Sequence, residues 1–299
     1  MMAASGSAQT VVWQAGVGDP QSQPTVVPTT MYDPSEGNIP AALQRWKMLN
    51  ASGNFTFGEY ASFLITYPDW PDSETMRQKA EQAINVLSWS PNQAVAYFDR
   101  LPPLTNGGRA KYALALDATG DKVRAEAVAR EAWRGGPLTD DDEARLQRIV
   151  GPRLSAADHD ARVDRLLWSG ATRAAERHIA YTSPQRRPAF MAILATKTKN
   201  PEATLRLQEA GAATRNEAGL LAAQADALRT AGNSYAAREL LANRGNLITP
   251  PPVMKDWYKL LLTHAEGAAN DGQYDLAYRI ASRIDDSVPP GLNLLAEDL

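Results

Sequence analysis

The 299-residue sequence contains no cysteine, which excludes disulfides, thiol nucleophiles and thiolate metal sites together. It leaves the redox compartment open, because a chain without thiols is indifferent to it. Histidine is almost as scarce. His159, His178 and His264 are the full set, and no two stand at metal-ligand spacing. No apolar run approaches the roughly 18 residues that a membrane-crossing helix needs. Charge of one sign is also missing: 31 basic against 34 acidic residues leave a net charge of −3, which makes no electrostatic case for nucleic acid or an anionic membrane. No Lys or Arg precedes Arg45, and Val11-Val12-Trp13 is too short for the apolar core of a secretion signal.

What is present divides at about residue 38. Residues 1–38 are rich in Ser, Gln, Thr, Gly and Pro, with only Asp19, Asp33 and Glu36 charged. Too little apolar surface exists there to offset the ordering entropy, and the prolines favour extended backbone, so this segment reads as a disordered or extended leader. Residues 39–299 read as one helical domain. Over 72–88, Met76, Ala80, Ala83, Ile84 and Leu87 fall on one stripe at three- and four-residue steps. Ser155 and Asp158 have capping-box spacing. Ser90-Pro91, Ser183-Pro184 and Asn200-Pro201 each place a cap residue before a proline suited to a first helical turn. Thr139 followed by Asp140, Asp141, Asp142 and Glu143 reads as a capped, acidic helix start rather than a metal cluster.

Roughly sixteen helical stretches are expected, with no alternating strand. Four places repeat a Gly-polar turn followed by a second helix, anchored at Gly120, Gly170, Gly232 and Gly272. Five residues after each anchor stands an alanine (Ala125, Ala175, Ala237, Ala277), small enough for the helices of a hairpin to approach closely. Eight after stand Val128, His178, Leu240 and Ile280. The anchors lie 50, 62 and 40 residues apart. The predicted fold is therefore all-α: an α-α superhelix, or degenerate tetratricopeptide-like solenoid of antiparallel helical hairpins.

Catalytic signals are missing. No nucleophile-elbow, zinc-protease, Walker or dinucleotide fingerprint occurs. Gly107-Gly108 lacks the strand and the Lys-Ser/Thr pair of a phosphate loop and reads as a helix start. His159 and His178 read as core-edge or surface residues, and the tryptophans as gap fillers between hairpins. The basic groups Arg186-Arg187 and Lys197/Lys199 read as solvated faces. No catalytic, cofactor-binding or metal-binding residue is assigned, and no cofactor is expected.

The stretch Glu59–Ala80, EYASFLITYPDWPDSETMRQKA, resembles the helix and Tyr/His-Pro-x-Trp-Pro turn near the start of soluble lytic murein transglycosylases. Leu104–Leu146 and Leu154–Ile179, the latter with its Asp164-Arg165-Leu166-Leu167-Trp168 piece, are similar to further parts of the α-superhelix that precedes the lysozyme-like domain in that family. The likeness runs from about Ala41 to the C-terminus. It implies a periplasmic protein, its signal removed, that acts on peptidoglycan glycan strands. Family members cleave these between N-acetylmuramic acid and N-acetylglucosamine, using the glutamate of a Glu-Ser motif. This chain has no Glu-Ser dipeptide, so no catalytic residue carries over. The resemblance then implies a non-catalytic superhelical scaffold, with the catalytic domain elsewhere in a longer parent protein. The alternative, from the repeats alone, is a stand-alone interaction module that holds a protein partner on a concave solenoid face.

Overall fold

The computed structural model describes residues 39–211 and 214–283. The leader read from the sequence, and the last part of the helical region, 284–299, lie outside the described residues. Among the described residues the chain is all-helical. It comprises α1 (Ile39–Ala51), α2 (Phe57–Thr66), α3 (Ser73–Ala83), α4 (Pro91–Arg100), α5 (Asn106–Ala118), α6 (Lys122–Arg134), α7 (Asp140–Val150) and α8 (Ala156–Trp168). There follow α9 (Thr172–Ile179), α10 (Arg187–Lys197), α11 (Ala203–Glu209), α12 (Ala218–Thr230), α13 (Ser234–Ala242), α14 (Met254–Asn270) and α15 (Tyr274–Ala281). A 3-10 turn, Gly151–Arg153, links α7 to α8.

Local chemistry starts these helices where it was expected to. The hydroxyls of Ser90, Thr139 and Ser155 each accept from the N–H three residues on, and Ser155 with Asp158 completes a capping box. Gly107 and Gly108 lie in the first turn of α5, capped by Thr105. Two proline signals act differently. After Ser183-Pro184 the chain makes one turn, and α10 begins only at Arg187. The Ser183 carbonyl accepts from the N–H groups of Arg186 and Arg187, while its hydroxyl donates to Asp160 Oδ2 at 2.7 Å. Asn200 caps a turn by accepting from the N–H of Glu202, and α11 begins at Ala203. The stripe over 72–88 also stops short. α3 ends at Ala83, Asn85 turns the chain by accepting from the N–H of Leu87, and Leu87 is 82% exposed rather than buried.

The glycine anchors share one backbone geometry. Gly120, Gly170, Gly232 and Gly272 have φ between +76° and +92°, the left-handed region where a Cβ is strained. At each, the next residue's N–H reaches the carbonyl five back, as in Asp121 N to Leu116 O at 2.9 Å and Gln273 N to Ala268 O at 2.8 Å. These are Schellman endings, which close one helix and aim the chain into the next. They join the pairs α5/α6, α8/α9, α12/α13 and α14/α15, each packed side by side. Ala125, Ala175 and Ala237 are fully buried in these hairpins, and Ala277 is half-buried.

A fifth such ending, unmarked by glycine, joins α10 to α11. Lys199 has φ +55° there, and Asn200 N reaches Ala195 O at 2.8 Å. Lysine in this conformation carries strain that glycine does not, against a smaller gain in unfolded-state entropy. Lys199→Gly is therefore expected to stabilise the protein by up to about 1 kcal/mol, read as a rise in the urea midpoint at unchanged slope.

Helices also pack against the next but one: α2 on α4, α3 on α5, α6 on α8, α8 on α10, α10 on α12, α12 on α14 and α13 on α15. Four apolar clusters follow one another along this order. The first is aromatic, around Tyr60, Phe63, Tyr97 and Phe98. The next, around α5–α7, is built mostly of alanine with Leu146 and Val150. The third centres on Phe190, and the last on Trp257 and Tyr258.

Candidate functional site

Alternate helices α8, α10, α12 and α14, with part of α13, border a furrow. The furrow consists of two contiguous depressions of about 290 Å³ and 450 Å³ that share Asp226, Asp256 and Leu260. The first is floored by Leu167, Ile193, Ala222 and Ala223, with Trp168 as its wall and Asp164, Thr196 and Lys197 at its edge. The second is bordered by Arg229, Arg238, Lys259, Ser234, Thr263 and His264.

Helical spacing explains why these side chains converge. Asp164, Leu167 and Trp168 are three and four residues apart on α8, as are Gly219, Ala222, Ala223 and Asp226 on α12 and Asp256, Leu260, Thr263 and His264 on α14. The Trp168 indole N–H donates to Asp256 Oδ2 at 3.2 Å, tying α8 to α14 across 88 residues of chain. Arg229 pairs with Asp226 at 2.9 Å, and Arg238 with Asp271 at 2.7 Å.

Behind the wall lies an ion-pair network. Arg186 donates to both carboxylate oxygens of Glu217, at 3.0 Å and 2.7 Å, and to Asp164 Oδ2 at 3.1 Å. Its guanidinium lies over the Phe190 ring, 4.7 Å from the centroid. Burial raises the Asp164 carboxyl above its ordinary pKa, and Arg186 opposes that shift. Burial also works against the Arg186 charge, but Glu217 and Asp164 more than restore it. Burial lowers His264, and Arg229 and Arg238 push it the same way, so at neutral pH its imidazole is uncharged.

The furrow thus offers an aromatic face, an apolar floor and a rim of hydrogen-bond donors and acceptors of both charges. That suits an extended, polar, uncharged or mixed-charge ligand. It contains no nucleophile joined to a base. Among the described residues, no group of three or more His, Cys, Asp or Glu could hold a metal ion, and no helix is long and apolar enough to cross a membrane.

Other features singled out in the sequence fall elsewhere. The acidic helix start at Thr139 is capped, yet Glu143 turns inward. It takes Arg162 Nη2 at 2.5 Å and faces His178 Nε2 at 2.9 Å. His178 is therefore buried with a charged partner, not on the core edge. His178 Nδ1 has no hydrogen-bond partner, so no relay runs from this pair to a nucleophile. Arg186 and Arg187 do not form a solvated face: Arg186 sits in the network above, and Arg187 donates to the carbonyls of Ala180 and Thr182. Lys197 and Lys199 are exposed. The Tyr67–Pro71 turn is pinned by Trp46 Nε1 donating to Pro71 O at 2.7 Å, and with Leu43 and Trp70 it borders a shallow apolar depression. Trp133 and Trp257 are fully buried gap fillers, whereas Trp168 and Trp70 are part-exposed. Sequence spacing alone could not single out Trp168, because its partner Asp256 is so remote.

Comparison with protein-family models, with curated proteins and with solved structures found no match.

Proposed function

We propose that this chain is a non-catalytic α-superhelical scaffold that holds peptidoglycan glycan strands in the periplasm, for cleavage by a lytic transglycosylase domain elsewhere in the parent protein. The supporting observation is the furrow along α8, α10, α12 and α14, with its Trp168 face between carboxylate and ammonium groups. Sugar rings present one apolar C–H face and a belt of hydroxyls, which match an indole and a polar rim respectively. Packing of many helices on the next or the next but one, together with repeated hairpin endings, supports a solenoid reading. Such a scaffold contributes by holding substrate in register rather than by chemistry.

The test is retention on purified peptidoglycan sacculi. The wild-type chain is expected to co-sediment with sacculi and to release no anhydro-muropeptides. Trp168→Ala is expected to weaken retention by about tenfold or more, on the scale of a lost ring-stacking contact. Failure of the wild type to bind sacculi, with recovery of one stoichiometric protein partner, would instead establish the stand-alone interaction module.

A further inference from the structure

We infer that the depression over Gly219 is a pocket for the acetamido group of an N-acetylated sugar, a reading that rests on the glycan-scaffold proposal above. Gly219 stands in the first turn of α12 with an ordinary helical backbone, so no left-handed conformation requires glycine there. Glycine weakens a helix, and alanine would serve the backbone better. What glycine provides is close approach. A Cβ at this position would lie 3.2 Å from Ile193 Cδ1, 3.6 Å from Asp164 Oδ1 and 4.0 Å from Trp168 Cε3. Glycine lets Ile193 approach this closely, and the depression that Gly219 lines reaches down to the helix backbone between the tryptophan wall, the isoleucine floor and a carboxylate, where a Cβ would crowd it.

The chemistry of the notch selects among occupants. Its volume of about 290 Å³ is at the small end of ligand sites, enough for a ring substituent and part of its ring. Its floor is apolar, which suits a methyl group and disfavours a free carboxylate. Its rim holds the acceptor that an amide N–H needs: Asp256 receives Trp168 through Oδ2 and has its second oxygen to offer. Lys197, exposed on the same rim, supplies a donor for the amide carbonyl. A neutral acetamide, with a methyl at one end and a donor and an acceptor at the other, meets all three conditions. The acids of the rim (Asp164, Asp226, Asp256) outnumber its lysine, which weighs against an anionic ligand.

Calorimetric titration with neutral trisaccharides tests this, with sacculus retention measured alongside. The expected result is that chitotriose binds at least about tenfold more tightly than cellotriose, which has the same linkage without the acetamido groups. Gly219→Ala should abolish that preference, with the unfolding midpoint measured alongside to show that the variant is folded. Equal affinity for the two sugars, no chitotriose binding at millimolar concentration, tighter binding of the glucosamine trimer, or an equal loss for both sugars in Gly219→Ala would each overturn the acetamide pocket. Sacculus retention decides the scaffold reading separately: if it persists while the preference is absent, only the present inference fails.

Discussion

Replacing Arg162 with methionine is expected to destabilise the protein by about 3–5 kcal/mol, the usual cost of removing one partner of a buried ion pair. Arg162 is fully buried, and its guanidinium has three tasks. Nη2 pairs with Glu143 Oε2 at 2.5 Å, Nη1 donates to the carbonyls of Trp133 at 3.1 Å and Gly136 at 2.9 Å, and the plane lies 4.2 Å from the Trp133 ring centroid. The two carbonyls belong to the end of α6 and the turn after it, so Arg162 on α8 ties α6 to the start of α7. Methionine fills much of the volume but leaves Glu143 facing only His178 and Arg177. Urea unfolding at neutral pH reads the loss. Adding Glu143→Gln should recover part of it, because the stranded charge is the larger share of the cost.

The same carboxylate sets a pH dependence whose sign can be worked out. Burial alone would raise its pKa. Hydrogen bonds and attraction from His178 and Arg162 outweigh that and hold it at about 2, against 4.5 for the free group. A folded-state pKa below the unfolded value means that the unfolded chain takes up the proton first. The stabilisation is therefore complete above about 4.5 and is lost as pH falls toward 2. The Glu143→Gln variant should show a shallower fall in stability over that window.

How much of this was legible in the sequence depends on the distance over which each feature is determined. Thr139, Ser155 and Ser90 act on an N–H three residues away, so their caps were readable at sight. Glycine marks the left-handed turn by its own freedom, and four hairpins were found that way. The fifth turn was not, because Lys199 accepts strain that composition does not advertise, and Thr204 stands where the other hairpins have alanine. Leu87 misled for the opposite reason: the stripe it continues is real, but Asn85 ends the helix two residues earlier. Features of the furrow and its supports, and the buried Glu143–His178 pair, were invisible because each joins separate hairpins. Glu143 meets His178 across 35 residues, Arg186 meets Glu217 across 31, and Trp168 meets Asp256 across 88. No spacing rule links such pairs before the packing of the helices is known.

Arg186→Met is the second substitution expected to cost about 3–5 kcal/mol, and its pH signature should oppose that of Glu143. Arg186 stands between Glu217 and Asp164, whose side chains are 6% and 16% exposed. Without the guanidinium, two largely buried carboxylates face one another with no cation between them. Asp164 already has a pKa raised by burial, and loss of Arg186 removes what opposes that rise. A folded-state pKa above the unfolded value means that the folded chain binds the proton more tightly, so stability is gained as pH falls. The deficit of Arg186→Met should therefore be largest at neutral pH and shrink under mildly acidic conditions. Adding Asp164→Asn and Glu217→Gln should remove the pH dependence and restore much of the stability, measured by urea midpoints at both pH values. If Arg186→Met instead loses stability equally at both, the network holds the furrow wall by packing on Phe190 rather than by charge. Because Asp164 also borders the Gly219 notch, ligand binding by the charge-neutral triple variant tests the contribution of that carboxylate separately from the stability loss.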